Sequence, residues 1–224
     1  MFNVKEISPK YPRIPHASSE SMMTHDDIKW REEIQFPLTC WVQEKIDGAN
    51  MGASWNMEDD VPILRNREHI LKKGYQKKNT PAKIQFRSAW NWLHKNHKDL
   101  KKVIKRHGEL TIYGEWMYFQ HSINYDRLPD WFIAYDVYSP YDGFLHPEKF
   151  IEIMEETKIS YIRPYKKIFN SIEEIIQESE LDSDYRSGIR EGIVIKSPII
   201  VKMVNSQFVR RSDFNDNIIK NSIG

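Results

Sequence analysis

Two strand-forming runs on either side of an Asp-Gly turn constrain the fold of this chain more than any other feature. Residues 39–45 (Thr-Cys-Trp-Val-Gln-Glu-Lys) are rich in strand formers, and residues 50–55 are expected to form the returning strand. Asp47 and Gly48 are a turn signal between the two runs. Lys45 lies at the end of the first run, one residue from the turn, and is therefore a candidate nucleophile.

The remaining periodicity predicts a mixed fold with mostly antiparallel strands. Apolar residues from Phe86 to Ile104 recur at alternating steps of four and three, which predicts one face of an α-helix, and Gly108 should end it. Shorter helices are expected over 150–154 and 172–178. Further strands are expected over 61–65, 110–116, 131–138, 192–196 and 199–204. This order of elements favours an α+β fold.

Charge is unevenly distributed along a nearly neutral chain. The net charge is +1, but residues 65–106 hold 14 Lys and Arg against 2 Asp and Glu. Such asymmetry indicates a face that binds a polyanion, and nucleic acid is the expected partner. No apolar run is long enough to span a membrane, the N-terminus lacks a secretory signal, and the single cysteine, Cys40, fits a reducing cytoplasmic compartment.

Five short motifs occur in an order that identifies a family. The first is residues 44–50 (Glu-Lys-Ile-Asp-Gly-Ala-Asn), and the others are residues 113–116 (Tyr-Gly-Glu-Trp), 132–136 (Phe-Ile-Ala-Tyr-Asp), 191–196 (Glu-Gly-Ile-Val-Ile-Lys) and 201–204 (Val-Lys-Met-Val). Together they resemble the covalent nucleotidyltransferases, which comprise ATP-dependent DNA and RNA ligases and mRNA capping enzymes. The resemblance implies an ATP-grasp-like ligase fold of two packed antiparallel sheets with flanking helices, and a nucleotide bound in the groove between them.

The resemblance assigns the covalent chemistry to one lysine. Lys45 would attack the α-phosphorus of ATP and carry AMP. Only the neutral amine can attack, so the pKa of Lys45 is expected to be low. Positive charge that lowers this pKa and neutralises the phosphates is expected from a bound metal ion and from Arg65, Arg67, Lys196 and Lys202.

Other residues are expected to hold the nucleoside and the metal ion. Glu115 matches the glutamate that accepts hydrogen bonds from the ribose, and Tyr135 matches the aromatic residue that stacks on the purine. Glu191 is expected to bind Mg²⁺ (or Mn²⁺), because hard cations prefer carboxylate oxygens. Glu44 either reads the purine edge or is an exposed strand charge. Asp47 either orients a metal-bound water or shapes the turn.

Three features resemble RNA ligases in particular. Asn50 resembles the RNA-ligase form of the first motif, because DNA ligases usually have arginine there. The stretch from Gly114 to Pro129, which includes His121, and the run Tyr-Pro-Arg-Ile-Pro-His at 11–16 look like a bacterial and phage RNA-ligase group. The second run lies in an irregular N-terminal arm, residues 1–38, whose role is structural, functional or both. RNA contacts are expected from Asn50 and from four lysines, Lys72, Lys73, Lys77 and Lys78.

The expected activity is ATP-dependent joining of 3′-hydroxyl and 5′-phosphate RNA ends at nicks or breaks in duplexes, by a monomer with one nucleotidyltransferase domain over residues 1–224. Two departures leave alternatives open. Val204 stands where some relatives have a second lysine, and no oligonucleotide-binding barrel is expected after Phe208. An accessory domain or partner is therefore possible. The alternatives are a minimal DNA ligase, a capping enzyme, or a non-catalytic nucleic-acid-binding protein on a ligase fold.

Overall fold

The computed structural model describes residues 2–17, 28–72, 84–208 and 219–223. Its strands are β1 (Leu38–Lys45), β2 (Ala49–Asn56), β3 (Val61–Asn66), β4 (Thr111–Trp116), β5 (Phe119–Gln120), β6 (Phe132–Ser139), β7 (Gly143–Phe144), β8 (Tyr165–Phe169), β9 (Gly192–Lys196), β10 (Val201–Val204) and β11 (Ile219–Lys220). Its helices are α1 (Val4–Ile7), α2 (Ala89–His107), α3 (Pro147–Glu155) and α4 (Ile172–Ser179).

Two antiparallel sheets form the centre of the fold, as predicted. One has four strands in the order β10-β9-β1-β8, and the other has five in the order β3-β2-β4-β6-β7. Helix α2 packs against β2, and α4 packs against β8, β9 and β10. Each sheet thus buries one face under a helix. Among the described residues, no helix is long and apolar enough to cross a membrane.

The Asp-Gly turn joins the two sheets rather than two neighbouring strands. The expectation that 50–55 returns alongside 39–45 is wrong, because β1 pairs with β8 and β9 while β2 pairs with β3 and β4. The turn therefore crosses from one sheet to the other. Lys45, the last residue of β1, consequently lies where the sheets diverge, which is the end of the groove between them.

Contacts between the two sheets define the inter-sheet groove. The Gln43 amide on β1 donates hydrogen bonds to the backbone oxygens of Tyr135 (3.2 Å) and Ile162 (2.7 Å). The Lys196 ammonium on β9 donates to the Tyr135 oxygen over 2.8 Å. Both contacts connect the four-stranded sheet to β6 of the five-stranded sheet. The groove is thus closed at its floor by polar side chains rather than by an apolar layer.

The basic helix lies away from this groove. Trp90, Leu93 and Leu100 of α2 pack with Met51 and Ala53 of β2 in the largest apolar cluster. Asn50, which alternates with Met51 on β2, faces the groove instead and donates to the Tyr135 hydroxyl. The lysines of α2 therefore lie behind the five-stranded sheet, outside the groove.

Five of the described elements are not predicted by the sequence, namely α1, β5, β7, β8 and β11. Helix α1 begins at a capping box in which Asn3 accepts from the backbone of Glu6 and Glu6 accepts from Asn3. Strand β8, with the sequence Tyr-Lys-Lys-Ile-Phe, pairs with β1 at the sheet edge. Its two lysines weaken the alternating apolar pattern on which strand prediction depends.

Close approach of β9 and β10 requires glycine at 192. A Cβ there would overlap the backbone oxygen of Met203 and lie 2.9 Å from the Cα of Val204. We expect Gly192→Ala to lower the free energy of unfolding by about 2–3 kcal/mol, because two paired strands must separate. Gly143→Ala is the control, since no atom lies within 4 Å of its Cβ and only a positive φ of 77° opposes it, at a cost of about 1 kcal/mol. Urea unfolding measures both variants, and equal losses would contradict the overlap.

Candidate active site

Lys45 and Glu191 form a buried ion pair at the end of the groove. Strand register pairs Lys45 of β1 with Gly192 of β9. Glu191, the residue before Gly192, therefore lies next to Lys45. The lysine ammonium contacts Glu191 Oε1, and the two side chains are 21% and 4% exposed. Glu191 Oε2 is buried and has no hydrogen-bond partner in the described part of the chain. An unsatisfied carboxylate oxygen beside a second carboxylate, Asp47, fits a hard divalent cation.

The charge state of Lys45 differs from the expectation. Burial lowers the pKa of Lys45. The carboxylates of Glu191, Asp47 and Glu115 raise it by more than burial lowers it, so the pKa lies above its ordinary value. Without nucleotide the lysine is therefore a charged amine. The low pKa expected from the sequence was wrong for this state because the surroundings are acidic rather than basic.

The turn after Lys45 is held by side chains from the loop that follows β5. The backbone N–H of Asp47 donates to the Tyr125 hydroxyl over 2.7 Å, and Asp47 Oδ2 accepts from the backbone N–H of Ser122 over 2.7 Å. Gly48 donates to Glu115 Oε1 over 3.3 Å. Asp47 thus shapes the turn through Oδ2, and its charge still reaches Lys45 and Glu191.

Glu115 and Tyr135 lie in the groove close to this turn. Burial raises the pKa of Glu115 to about 8, although the charges of Lys45 and Arg67 lower it. Asn50 is paired with Glu115 across β2 and β4, and its amide nitrogen donates to the Tyr135 hydroxyl. Asn50 Oδ1 is buried without a hydrogen-bond partner among the described residues. An acid, an amide and an aromatic ring therefore share one side of the groove.

A β-bulge turns two consecutive residues of β6 toward the groove. Tyr113 pairs with Asp136 and Gly114 with Ala134, so Tyr135 has no partner on β4. In such a bulge the extra residue interrupts the alternation of faces. Ala134 and Val137 both pack in the apolar cluster under α2, whereas Tyr135 and Asp136 both face the groove.

The two lysines that follow Glu191 lie on β9 and β10. The Lys196 ammonium is 3.0 Å from Asp136 Oδ2, and the Lys196 residue is 8% exposed. The charge of Lys202 is among those that lower the pKa of Glu191, although burial raises that pKa overall. Both lysines are thus on the groove side of the four-stranded sheet, together with Lys45.

Arg65, which is expected to bind phosphate, is held by backbone oxygens. Its guanidinium donates to three backbone oxygens, those of Ser8, Asn66 (3.0 Å) and Arg67 (3.1 Å), and the residue is 4% exposed. All three nitrogens are used to hold α1 and the end of β3. A guanidinium has five N–H donors and these contacts use three of them, so Arg65 anchors the arm here and its phosphate contact stays a prediction.

Glu44 neither reads a purine nor lies in solvent. Its carboxylate accepts from the Ser183 hydroxyl and from the backbone N–H of Asp184 over 2.9 Å, with Arg190 at 4.0 Å. Adjacent strand residues point to opposite faces, so Glu44 lies behind the sheet face that carries Gln43 and Lys45. The side chain that shares the groove with Lys45 is Gln43.

The remaining expected residues are exposed or lie outside the described ranges. Arg67 is exposed, and its charge lowers the pKa of Glu115. Lys72 is exposed on the segment after β3. Lys73, Lys77 and Lys78 lie outside the described residues.

Four groove residues received no role from the sequence: Tyr11, Gln43, Tyr125 and Asp136. Three of them stand inside runs that were already singled out, at 11–16, 114–129 and 132–136. The signal was present for those three, but nothing in the sequence says which member of a run faces a ligand.

Comparison with known proteins gives one family and one set of similar structures. The RNA ligase family model matches residues 38–221. A Naegleria gruberi RNA ligase mutant with ATP and Mn is similar at 15% identity and a TM-score of 0.59, and the same ligase with PPi at 18% identity and a TM-score of 0.58. Each match covers 75% of this chain and 50% of the other, so this chain spans about half the length of those ligases. No curated protein matches it.

The raised pKa of Glu115 predicts a pH-dependent stability. Because this pKa rises from 4.5 to about 8 on folding, the folded protein binds more protons than the unfolded chain between those values. Stability should fall as pH rises through that window, by at most about 1.4 kcal/mol per pH unit. Glu115→Gln should match the native protein near pH 4 and exceed it by up to about 4 kcal/mol at pH 8, which is that slope summed over the window. Urea unfolding across this range measures the difference, with exposed Glu33→Gln as control, and parallel curves for Glu115→Gln and the native protein would contradict the raised pKa.

Proposed function

This chain belongs to the RNA ligase family, and from that premise we propose that it is an ATP-dependent RNA ligase that joins a 3′-hydroxyl end to a 5′-phosphate end. The observation that carries the proposal is Lys45 held against Glu191 in a groove that also gathers Glu115, Tyr135 and Lys196. These are side chains that a covalent transfer of AMP needs: a nucleophile, contacts for the nucleoside, and cations for phosphate.

In the first step, the Lys45 nitrogen bonds to the α-phosphorus of ATP, and pyrophosphate leaves. Lys45 must first lose the proton that Glu191 and Asp47 stabilise. Mg²⁺ or Mn²⁺ held by Glu191, with Asp47 nearby, would supply positive charge that offsets these carboxylates and the triphosphate. Lys196 and Lys202 stabilise the negative charge on the transferred and leaving phosphates.

Two further transfers complete the reaction. A 5′-phosphate end attacks the lysyl-AMP phosphorus, which breaks the nitrogen–phosphorus bond and returns Lys45. A 3′-hydroxyl then attacks the 5′-phosphate and expels AMP. All three steps are attacks on phosphorus, so one set of cations serves each.

The nucleoside contacts follow from the groove geometry. Glu115, when ionised, accepts from the ribose hydroxyls, and the Tyr135 ring lies beside it for the purine. We further propose that the ends of a nicked or broken RNA duplex approach the groove past Arg67 and Lys72, both of which are exposed. The chain acts as a monomer in this proposal, and an accessory domain or partner would add contacts to the RNA.

Covalent labelling tests the first step. Incubation with ATP labelled at the α-phosphate and Mg²⁺ should transfer label to the native protein and none to Lys45→Ala. Lys95→Ala removes an exposed lysine from α2 and should label normally. Labelling should rise with pH, because the pKa of Lys45 is raised. Label on Lys45→Ala would rule out this nucleophile, and transfer from GTP but not ATP would favour a capping enzyme.

Sealing of a nicked duplex tests the substrate. With ATP and Mg²⁺ present, only the sugar of the 3′-hydroxyl strand is varied between ribose and deoxyribose. We expect sealing that requires ribose. Equal sealing of both ends would favour a DNA ligase, and labelled protein without sealing would indicate a missing domain or partner.

A further inference from the structure

The N-terminal arm reaches the groove through the side chain of Tyr11. This tyrosine is 5% exposed, and its hydroxyl donates to Asp136 Oδ2 over 2.9 Å. Its ring lies edge-on to Tyr135, with 5.3 Å between ring centroids. Tyr11 is therefore beside both residues that the β6 bulge turns into the groove.

Asp136 contacts both Tyr11 and Lys196 and therefore connects the two side chains. The same oxygen that accepts from Tyr11 is 3.0 Å from the Lys196 ammonium, which also donates to the Tyr135 backbone oxygen. Two donors on one oxygen fix the rotation of a carboxylate that otherwise turns easily about its last bond. The place of the Lys196 ammonium thus depends on how Asp136 is held, and Tyr11 holds it.

The arm also contacts the strand that carries the other phosphate lysine. The backbone N–H of Lys202 donates to the Pro15 oxygen over 2.9 Å, and the N–H of Ala17 donates to the Lys202 oxygen over 2.9 Å. Residues 15–17 therefore extend the four-stranded sheet beyond β10. The arm is anchored at Lys202 while Tyr11 reaches Lys196 through Asp136.

We propose that Tyr11 is a positioning residue for Lys196, acting through Asp136 to set the ammonium where it meets the phosphates of ATP. The proposal rests on the proposed ligase function. Without the hydroxyl, Asp136 is free to rotate and Lys196 moves with it, so transfer of AMP slows although the nucleophile is intact.

Single-turnover labelling of Lys45 with ATP measures the effect. Tyr11→Phe keeps the ring and removes the hydroxyl, and we expect the labelling rate to fall about fivefold to tenfold. Tyr113→Phe is the matched control, because the Tyr113 hydroxyl donates to the Pro9 oxygen of the same arm and does not contact Asp136. It should label at the native rate. An equal loss in both variants would show that only attachment of the arm matters, and no loss in Tyr11→Phe would overturn the inference.

A double-mutant cycle tests the route through Asp136. Asp136→Asn should itself slow labelling, and adding Tyr11→Phe to it should cause no further loss. Independent, additive losses would overturn the proposal. The same four proteins unfolded in urea give the coupling of the two side chains without nucleotide, and additive changes there would contradict the contact. A native protein that takes no label would contradict the proposed function alone, since the unfolding cycle still decides the contact.

Discussion

The ion pair between Lys45 and Glu191 sets the electrostatic character of the groove. Burying two charges costs free energy that their attraction offsets only when the remaining polar atoms are satisfied, and here Glu191 Oε2 is not. Burial also raises the pKa of both Glu115 and Glu191. The groove thus gathers carboxyl groups whose ionisation is opposed by burial, and such a set favours the binding of cations. The carboxylates also raise the pKa of Lys45, so its amine is protonated beside them.

Much of the fold followed from local patterns, because strands and helices leave a period in the sequence. Helix α2 ends where Gly108 predicts, and the seven predicted strands are present with small shifts at their ends, as β1, β2, β3, β4, β6, β9 and β10. Which strands pair with each other is harder to predict from the sequence. The turn at Asp47 predicts that the next strand returns beside β1, since a tight turn usually joins neighbours. Whether a strand turns back or crosses to another sheet depends on contacts made by residues far along the chain.

The site was predictable by residue type and order but not by orientation. Glu44 and Arg65 each stand next to a motif and carry a suitable charge, yet both are occupied by backbone and side-chain partners. Their partners, Ser8 and Ser183, lie far away in sequence and are not marked by any pattern. The role inferred for Tyr11 could not be predicted either, because it depends on a contact with a residue 125 positions along the chain.

The β6 bulge has a consequence for how this strand can change. A regular strand would turn either Tyr135 or Asp136 into the groove and send the other under α2. The extra residue lets one short segment place both an aromatic ring and the carboxylate that contacts the Lys196 ammonium in the groove. Deleting either residue would restore regular alternation between Ala134 and Val137, and the groove would then keep only one of the two side chains. The local count of residues in β6 is as much a part of the site as their identity.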